Sequence, residues 1–295
     1  MTIKDLIKYG KDELDANNID ESILKTRLLL EYVLNKKREY IMIHLDEEIG
    51  IDKESLFKSY IKRLVNNEPI QYIIKKQEFM GLEFLVNENV LIPRSDTEVL
   101  VENVINLVKN NYNNFINNEN IENNENKEIN ILDMCTGTGA IIISLAKYLD
   151  KYNINFYASD VSKKAIEVAK ENAINNNVEI TFIESDLFSN INDIKFDLIV
   201  SNPPYIEKNV IKSLDENVKK EPILALDGGV DGLDFYRNIS KDSKKYLNKN
   251  GYLCYEIGYN QKESVTKILR ENGYIDIKCI KDYSNNDRVI VSRKG

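Results

Sequence analysis

Apolar side chains recur at helical spacing through the first 75 residues of the chain. Leu29, Val33 and Leu64 belong to two such runs, and this spacing is typical of helices that bury one face in a core. Asp20 and Asp52 precede two of the runs and are predicted N-caps, because a short carboxylate can accept hydrogen bonds from free backbone N–H groups. The pattern predicts a small helical domain.

The pattern changes near residue 70. Residues 72–74 and 79–86 form short apolar runs, and they predict extended backbone with Gly81 at a hairpin turn or a bulge. A helix is predicted next, over residues 97–109.

From residue 129 onwards, segments typical of strands alternate with segments typical of helices. The predicted strands cover residues 129–134, 156–160, 179–183, 196–201, 251–257, 274–280 and 288–292. The predicted helices between them cover residues 140–149, 162–175 and 261–272. This alternation predicts an α/β fold, in which a Rossmann-like, doubly wound sheet follows the small helical domain. Only a short connection separates the last two of these seven strands, so we expect an antiparallel final pair.

The charge balance of the chain is acidic. Lys and Arg total 40 against 48 Asp and Glu, which gives a formal net charge of −8 at pH 7. Binding of duplex DNA regardless of its sequence depends on neutralising phosphates, so this balance argues against it, although a local basic patch would still permit nucleic-acid binding.

The content of cysteine, histidine and apolar residues indicates whether to expect a metal site and which cellular compartment to expect. The three cysteines are far apart and one histidine is present, so no metal site is predicted and a reducing cytoplasm is expected. No stretch approaches 18 consecutive apolar residues, and the first 18 residues lack an apolar run, so we expect neither a membrane span nor a secretory signal. Residues 110–130 contain 11 Asn in 21 positions and are interpreted as a surface loop or a frayed helix extension.

A glycine-rich segment follows the first of the alternating strands. Residues 133–140 read DMCTGTGA, and glycines at a strand-to-helix turn let a ligand approach the backbone and the free N–H groups of the helix start. The GxGxxG pattern of dinucleotide sites is absent, which favours a nucleoside cofactor without a pyrophosphate; a simple tight turn is the alternative. Asp160 and Asp186 end the next two strands and are predicted to bind ribose hydroxyls and an adenine amino group, with a cap or turn role as the alternative.

Asn202, Pro203, Pro204 and Tyr205 directly follow the predicted strand 196–201. Open α/β sheets bind ligands at such carboxyl ends of strands. The side-chain oxygen of Asn202 and the carbonyl oxygen of Pro203 can accept both hydrogens of a planar –NH2 group, while the ring of Tyr205 packs on its face. A structural proline turn is the alternative interpretation.

Such a site suits transfer of a group to a weak nucleophile. The nitrogen of an amide or a ring amine is a poor nucleophile because its lone pair is delocalised, and two acceptors on its hydrogens raise its electron density and aim it. The neighbouring cofactor is predicted to be S-adenosylmethionine, whose methyl group such a nitrogen can attack without a metal or a strong base.

Further motifs make the combination recognisable. They are EFMG at 78–81, VLIPR at 90–94, EPILALDGGVDGL at 221–233 and the segments around residues 256–261 and 282–288. With the glycine loop and residues 202–205, they make the whole chain resemble the release factor glutamine methyltransferase family, a group of class I S-adenosylmethionine-dependent methyltransferases. Residues 202–205 alone would also fit methyltransferases that act on amino groups of adenine and cytosine.

The resemblance implies methyl transfer from S-adenosylmethionine to the side-chain amide nitrogen of the glutamine in the GGQ motif of class I peptide chain release factors. It implies a helical substrate-recognition domain over residues 1–75, an extended hairpin joint over 76–93 and a methyltransferase domain over 94–295. The release factor is the expected partner, and we expect a monomer with no direct contact to nucleic acid or membrane.

The resemblance also implies particular site residues. The substrate-binding residues are Asn202, Pro203, Pro204, Tyr205 and Phe79, of which Asn202, Pro203 and Tyr205 are catalytic. The cofactor-binding residues are Cys135, Thr136, Gly137, Thr138, Gly139, Asp160, Asp186, Leu187 and Asn202. The sequence departs from the family pattern at four places. Cys135 and Lys75 stand where glycine is common, Ser95 and Asp96 replace a Pro-Glu pair after the arginine, and Leu187 replaces an aromatic residue. Cys135 can serve if its φ is negative, and Leu187 would give aliphatic packing against adenine.

Two other functions remain open. A methyltransferase acting on adenine or cytosine amino groups in DNA or RNA explains the glycine loop and residues 202–205 equally well, and it predicts a basic groove or an extra target-recognition domain. The second is a relative that binds a partner without catalysis, against which the intact residues 202–205 argue.

Overall fold

The computed structural model describes residues 1–116 and 128–295. The chain divides into two compact units, Met1–Lys76 with Asp215–Lys220, and Gln77–Leu214 with Glu221–Gly295. Residues 77–93, predicted as part of a joint between domains, therefore group with the second unit, and their role as a joint stays a prediction. The predicted loop or helix extension over 110–130 is helical up to residue 116, and its residues 117–127 lie outside the described part of the chain.

The first unit consists of helices around one apolar core. The helices are α1 (Ile3–Ala16), α2 (Ser22–Leu34), α3 (Arg38–Ile43), α4 (Ile51–Val65) and α5 (Ile70–Ile74). Leu6, Leu29 and Phe57 are fully buried in this core, as their helical spacing predicts. Thr2 caps α1, because its hydroxyl oxygen accepts a hydrogen bond from the backbone N–H of Asp5.

The two predicted N-caps are wrong. α2 follows Glu21, which has a left-handed backbone, and α4 follows Gly50. Asp20 precedes that left-handed residue, so its side chain is one position too early to cap α2. Asp52 lies inside the first turn of α4, where its negative charge favours the positive end of the helix dipole.

The predicted extended backbone over residues 72–74 is also wrong. These residues belong to α5, which follows Pro69 and buries Ile70 and Ile73 in the same apolar core. A run of apolar residues this short carries no periodicity that separates a strand from a helix. α5 ends at Lys75, which has a φ of 58°, the conformation that glycine adopts without strain.

A hairpin follows α5. β1 (Lys76–Phe79) and β2 (Leu82–Leu85) pair with each other. Met80 and Gly81 form the turn with φ values of 52° and 69°, and two left-handed residues are what the tightest hairpin turns require. The predicted turn at Gly81 is confirmed.

One sheet organises the second unit. Its strands are β3 (Ile129–Met134), β4 (Ile154–Asp160), β5 (Thr181–Glu184), β6 (Phe196–Ser201), β7 (Leu247–Glu256), β8 (Tyr274–Lys281) and β9 (Asp287–Lys294). Among the described residues these seven strands pair in the order β5-β4-β3-β6-β7-β9-β8. β3 to β7 run parallel, and β9 pairs antiparallel with both β7 and β8. The predicted sheet with its antiparallel last strand is confirmed.

Helices cover both faces of the sheet. They are α6 (Ser95–Ile116), α7 (Ala140–Tyr148), α8 (Lys163–Asn175), α9 (Asp234–Tyr246) and α10 (Lys262–Glu271). Alternate residues of β3 divide between two apolar cores, with Ile131 in the core that contains α6 and α7 and Leu132 in the core that contains α9 and α10. In residues 1–116 and 128–295, no helix combines the length and apolarity needed to cross a bilayer.

α9 was not predicted from the sequence, and α6 is longer than the predicted helix over residues 97–109. α9 buries Tyr236, Ile239, Ser240 and Ser243, so half of its buried face is serine and the apolar signal is weak. The Ser240 hydroxyl hydrogen-bonds that of Tyr255 at 3.1 Å, and the Ser243 hydroxyl hydrogen-bonds that of Tyr274 at 2.6 Å. Burial of a serine hydroxyl costs little free energy when it has such a partner. A face of this kind does not show in a search for apolar periodicity.

Candidate active site

A cavity that is open to solvent lies at the carboxyl ends of β3, β4, β5 and β6. The chain runs from β3 outwards to β4 and β5, and then returns to place β6 on the other side of β3. The cavity therefore lies at the topological switch point, where open α/β sheets bind their ligands. The residues that line it are Asn89, Val90, Leu91, Met134, Cys135, Gly137, Ser159, Asp160, Val161, Ser162, Ala165, Ser185, Asp186, Leu187, Asn202, Pro204, Pro222, Leu224, Ala225 and Phe235.

The glycine loop between β3 and α7 forms one wall of the cavity. Gly137 has a φ of 54°, and a Cβ atom added to it would meet nothing within 4 Å, so its outer side is open to a ligand. Gly139 has a φ of 79°, and an added Cβ would lie 2.9 Å from the side chain of Ile143 and 3.2 Å from that of Ala169. Gly137 is thus exposed to the cavity, whereas Gly139 allows α7 and α8 to pack closely.

Two threonines hold the loop from behind. The Thr136 hydroxyl donates to Asp133 Oδ2 at 2.6 Å, and Thr138 Oγ1 accepts from the backbone N–H of Ala140 at 3.3 Å. Both threonines are buried. The described lining of the cavity includes neither of them, nor Gly139. Thr136, Thr138 and Gly139 were predicted to bind the cofactor, but in the structure they stabilise the loop from behind and do not line the cavity.

Cys135 does not have the negative φ that was expected of a residue in place of glycine here. Its φ is +62° rather than negative, because the backbone turns sharply between the end of β3 and the glycine loop. For a residue with a Cβ atom, left-handed backbone costs roughly 1–2 kcal/mol. Leu187, with a φ of 46°, is a second such residue, and the Ser185 hydroxyl holds its turn by donating to the Leu187 carbonyl oxygen at 2.7 Å. Both residues line the cavity.

Asp160 ends β4 and binds the glycine loop. Its Oδ2 accepts from the backbone N–H of Gly137 and its Oδ1 accepts from that of Ser162, both at 2.9 Å. Each carboxylate oxygen retains a lone pair for a ligand. Burial raises the pKa of Asp160 above its ordinary value, although hydrogen bonds from the backbone oppose the shift.

The charge of the cavity is negative. Asp160 and Asp186 line it, and the described lining contains no Lys or Arg. Asp186 lies two residues beyond β5 and is exposed. A cavity with this lining repels phosphate groups and favours a ligand that carries a positive charge. Across residues 1–116 and 128–295, no three His, Cys, Asp or Glu side chains converge as metal ligands would.

Asn202 and Pro204 form the wall of the cavity that follows β6. The Asn202 side-chain nitrogen donates to the Thr97 hydroxyl oxygen at 3.3 Å. Thr97 belongs to the first turn of α6 and is 5% exposed. Because the nitrogen of the amide is used in this way, its oxygen is left to accept a hydrogen bond from a ligand.

Tyr205 is held through both its backbone and its hydroxyl. The Gln261 side-chain nitrogen donates to the Tyr205 carbonyl oxygen at 3.0 Å and to the Gly232 carbonyl oxygen at 3.2 Å. The Tyr205 hydroxyl lies 3.4 Å from Glu256 Oε1. Burial raises the pKa of Tyr205, and the nearby Glu256 carboxyl adds to the shift. Pro203 is buried beside it, and neither Pro203 nor Tyr205 is part of the described cavity lining.

The glycine-rich segment 227–233 packs against the backbone of residues 205 and 206. The Ile206 N–H donates to the Leu226 carbonyl oxygen at 3.0 Å, and the Gly228 N–H donates to the Ile206 carbonyl oxygen at 2.9 Å. A Cβ atom on Gly228 would lie 2.7 Å from Tyr205 Cα, and one on Gly232 would collide with the Tyr205 carbonyl oxygen. These glycines therefore fix the loop of residues 202–205 from outside the cavity.

Phe79 is not at the cavity. It is 1% exposed and packs edge-to-face with Phe84, with ring centroids 6.0 Å apart, in the core that contains α6. The described cavity lining does not include it. The prediction that Phe79 shapes the site where cofactor and glutamine meet has no support in this geometry.

Several parts of the site were not predicted from the sequence. The segments 90–94 and 221–233 stand out as motifs, but their sequence does not place them at the cavity, where Val90, Leu91, Pro222 and Leu224 form part of the lining. A buried carboxylate connects the two segments, since Glu221 accepts from the backbone N–H of residue 92 at 3.0 Å and forms an ion pair with Arg94. One motif contains Glu221 and the other contains Arg94, and this pair of opposite charges was the signal in the sequence that the two segments meet.

The sheet order and the site together define the class. A seven-stranded sheet with a reversed last strand, a glycine loop after its first strand and an anionic cavity beside an Asn-Pro-Pro-Tyr loop is the architecture of class I methyltransferases. Comparison with family models agrees, because residues 118–224 match the model described as "Methyltransferase small domain" and residues 5–74 match the "PrmC N-terminal domain".

Relatives of known name resemble the chain over nearly its whole length. A release factor glutamine methyltransferase of Fusobacterium nucleatum is 40% identical over 99% of this chain and 78% of its own length. Those of Clostridium acetobutylicum and Clostridium botulinum are 38% and 40% identical over all of this chain and over 99% and 100% of their own lengths. The chain belongs to the release factor glutamine methyltransferase family.

Proposed function

We propose that this protein transfers a methyl group from S-adenosylmethionine to the side-chain amide nitrogen of the glutamine in the GGQ motif of class I release factors. Membership of the family supports the reaction and the substrate. The observation that carries the proposal is the Asn202 side chain, which lines the anionic cavity with its nitrogen bound to Thr97 and its oxygen left for a ligand.

The chemistry of the cavity fits S-adenosylmethionine. When bound, this cofactor supplies a methyl group on a positively charged sulfur. The carboxylates of Asp160 and Asp186 favour a cation, and the absence of Lys and Arg from the described lining fits a cofactor without phosphates. We assign Asp160 to the ribose hydroxyls, Asp186 to the adenine amino group, and Leu187 with the backbone of Gly137 to packing against the nucleoside. Cys135 is assigned to the same packing because it lines the cavity, although its φ is positive.

The loop of residues 202–205 is assigned to the glutamine. The Asn202 side-chain oxygen and the Pro203 carbonyl oxygen would accept the two amide hydrogens, which raises electron density on the nitrogen and aims its lone pair. Tyr205 would pack on the amide plane. The proton lost from nitrogen after transfer is acidic enough to leave to solvent, so these residues need no strong base.

The first unit is assigned to recognition of the release factor. Its helices expose large apolar side chains, including Ile43 at 77% and Ile51 at 80%, and such side chains are common anchors in protein interfaces. A monomer is proposed as the active form. The proposed setting is the cytoplasm, where release factors act in translation.

Mass spectrometry tests the proposal. The purified protein is incubated with S-adenosylmethionine and a class I release factor, and a gain of one methyl group on the GGQ glutamine is expected. The Asn202→Ala variant is expected to lose at least a hundredfold in kcat while its cofactor affinity stays within about tenfold, because Asn202 mainly aims the acceptor amide. DNA and RNA are offered in parallel, and methylation of either with none on the release factor would refute the proposal.

A further inference from the structure

Gln261 lies in a sequence motif, residues 256–261, to which the proposed reaction assigns no task. It directly precedes α10 and is 8% exposed. Its side-chain oxygen accepts from the Gly258 N–H at 2.9 Å. Its side-chain nitrogen donates to the carbonyl oxygens of Tyr205 and Gly232 at 3.0 and 3.2 Å. This buried amide therefore connects its own motif to the loop of residues 202–205 and to the glycine-rich segment.

The three backbone partners fix which way the Gln261 amide points. A backbone N–H only donates and a carbonyl oxygen only accepts. The reversed amide would therefore set its –NH2 group against an N–H and its oxygen against two carbonyl oxygens. The Tyr205 carbonyl and Gly232 are close enough that a Cβ atom on Gly232 would collide with the Tyr205 carbonyl oxygen. The –NH2 group of Gln261 offers one hydrogen to each carbonyl and so holds the two segments together.

The loop of residues 202–205 is stiff enough to transmit this contact. Its two prolines have φ angles fixed by their rings, so the backbone bends little between the Asn202 side chain and the Tyr205 carbonyl group. Ile206, the next residue, is held by backbone hydrogen bonds on both its N–H and its carbonyl oxygen. A shift of the Tyr205 carbonyl would therefore turn the loop about Ile206 and move the oxygen acceptors that it carries.

We propose that Gln261 is a positioning residue, which fixes the loop of residues 202–205 at the angle that aims its acceptors at the glutamine amide. The inference rests on the proposed function. Gln261 acts through the Tyr205 carbonyl, and the described lining of the cavity does not include it. Its loss is therefore expected to slow methyl transfer while the binding of the cofactor and of the release factor is largely kept.

The test measures kcat and KM for methylation of the intact release factor, with cofactor affinity determined by calorimetry. Gln261→Met keeps the length of the side chain and removes both donors. It is expected to lower kcat about thirtyfold, because a small error in the aim of the reacting groups is costly. KM and cofactor affinity are expected to stay within about threefold. Gln77→Met is the matched control and is expected to behave as the wild type, since Gln77 donates to the adjacent Glu78 carbonyl oxygen on the hairpin.

Two further variants separate the hydrogen bonds from simple filling of space. Gln261→Glu places a carboxylate against two carbonyl oxygens and is expected to lose more kcat than Gln261→Met. Gly232→Ala disturbs the same contact from its other side, because the added Cβ would meet the Tyr205 carbonyl oxygen and the Gln261 side-chain nitrogen. Combined with Gln261→Met, it is expected to lower kcat by less than the product of the two single losses, since both act on one contact.

The outcomes separate the two proposals. If the wild-type protein methylates the release factor but Gln261→Met keeps its kcat, or loses cofactor affinity as steeply as kcat, the positioning role is wrong and the proposed function stands. Equal kcat values for Gln261→Met and Gln261→Glu would also overturn the role. If the wild-type protein binds S-adenosylmethionine and leaves the glutamine unmodified, the proposed function fails and the positioning role falls with it.

Discussion

At the scale of single residues, Asp160 holds the glycine loop in addition to the ribose contact that we propose for it, and its sequence position alone does not separate the two roles. Each of its carboxylate oxygens accepts a backbone N–H, one from Gly137 and one from Ser162. The side chain therefore shapes the loop before any ligand arrives. Its place after a strand was enough to predict a ligand contact, whereas the hydrogen bond to Gly137 depends on how close two neighbouring strands bring the loops.

Replacement of Asp160 is expected to weaken cofactor binding whether or not the shape of the side chain is kept. Asp160→Ala should reduce affinity for S-adenosylmethionine by about 1–3 kcal/mol. Asp160→Asn should lose nearly as much, because its –NH2 group must face the N–H of Gly137 or of Ser162. Titration calorimetry measures both, with the exposed Asp150→Ala as control. An asparagine variant with wild-type affinity would contradict the role in shaping the loop.

Asp133 makes stability depend on pH. It is fully buried, its Oδ1 lacks a hydrogen-bond partner among the described residues, and burial raises its pKa from an ordinary 3.8 to about 7. Between these values the folded protein holds a proton that the unfolded chain releases. This contribution to stability is therefore lost as the pH rises towards 7.

The Asp133→Asn variant is expected to be less sensitive to pH in this window. From pH 5 to pH 8 its free energy of unfolding should gain about 1–3 kcal/mol relative to that of the wild type. Urea denaturation at several pH values measures the difference. The exposed Asp12→Asn variant on α1 should follow the wild type at every pH, and a parallel curve for Asp133→Asn would refute the assignment.

At the scale of elements, one buried side chain joins three segments of the second unit. Asn172 on α8 accepts from the Leu85 N–H at 2.6 Å and donates to the carbonyl oxygens of Leu85 and Thr138, both at 3.0 Å. It thereby fixes the hairpin strand β2 and the glycine loop to the same helix. The sequence contains 11 other Asn between residues 110 and 130, so composition gives no reason to single out this one.

Removal of this side chain is expected to destabilise the fold. Asn172→Ala removes the partner of the buried Thr138 carbonyl oxygen and of two partly buried backbone groups of Leu85, and it should reduce the free energy of unfolding by about 2–4 kcal/mol. Asn175→Ala, exposed on the same helix, should change it by less than about 0.5 kcal/mol. Chemical denaturation gives both values, and similar small losses for the two variants would show that Asn172 does not anchor the hairpin.

The elements that the sequence predicts well are those with a clear period or a clear interruption. β3, α7 and β6 are fully buried or nearly so and are bounded by glycine or proline segments, so their limits are close to those predicted. α5 and α9 fail for opposite reasons: α5 is too short to show a period, and α9 buries serine hydroxyls in place of apolar groups. The pattern of residues within a segment does not show which distant segments will pack against it.

At the scale of the whole molecule, the sequence does not show which distant segments belong to the same compact unit. Residues 215–220 group with the first unit although they are far along the chain from it. In the same way, Thr97 accepts a hydrogen bond from the side chain of Asn202, although the two residues are 105 positions apart in the sequence. The motif of residues 202–205 is continuous and was found, but its supports are distributed and were not.

The division into two units leads to a prediction about substrate size. If the first unit binds the body of the release factor, the double variant Ile43→Asp with Ile51→Asp should raise KM for the intact factor about tenfold. It should leave KM for a short GGQ peptide unchanged. Ile174→Asp, which alters an isoleucine of α8 that is 75% exposed, is the control, and equal effects on factor and peptide would refute the assignment.

The carboxylates at the cavity also bear on how the proposed enzyme completes a cycle. A sulfonium donor loses its formal positive charge when it gives up a methyl group, so the attraction of Asp160 and Asp186 for the spent molecule is weaker than for the fresh one. The negative charge of the cavity is therefore expected to favour the methyl donor over its demethylated product. The contacts that donor and product share contribute equally to the binding of both, so this electrostatic difference favours exchange of the product for a new donor. We therefore expect the acidic lining to reduce inhibition by the product.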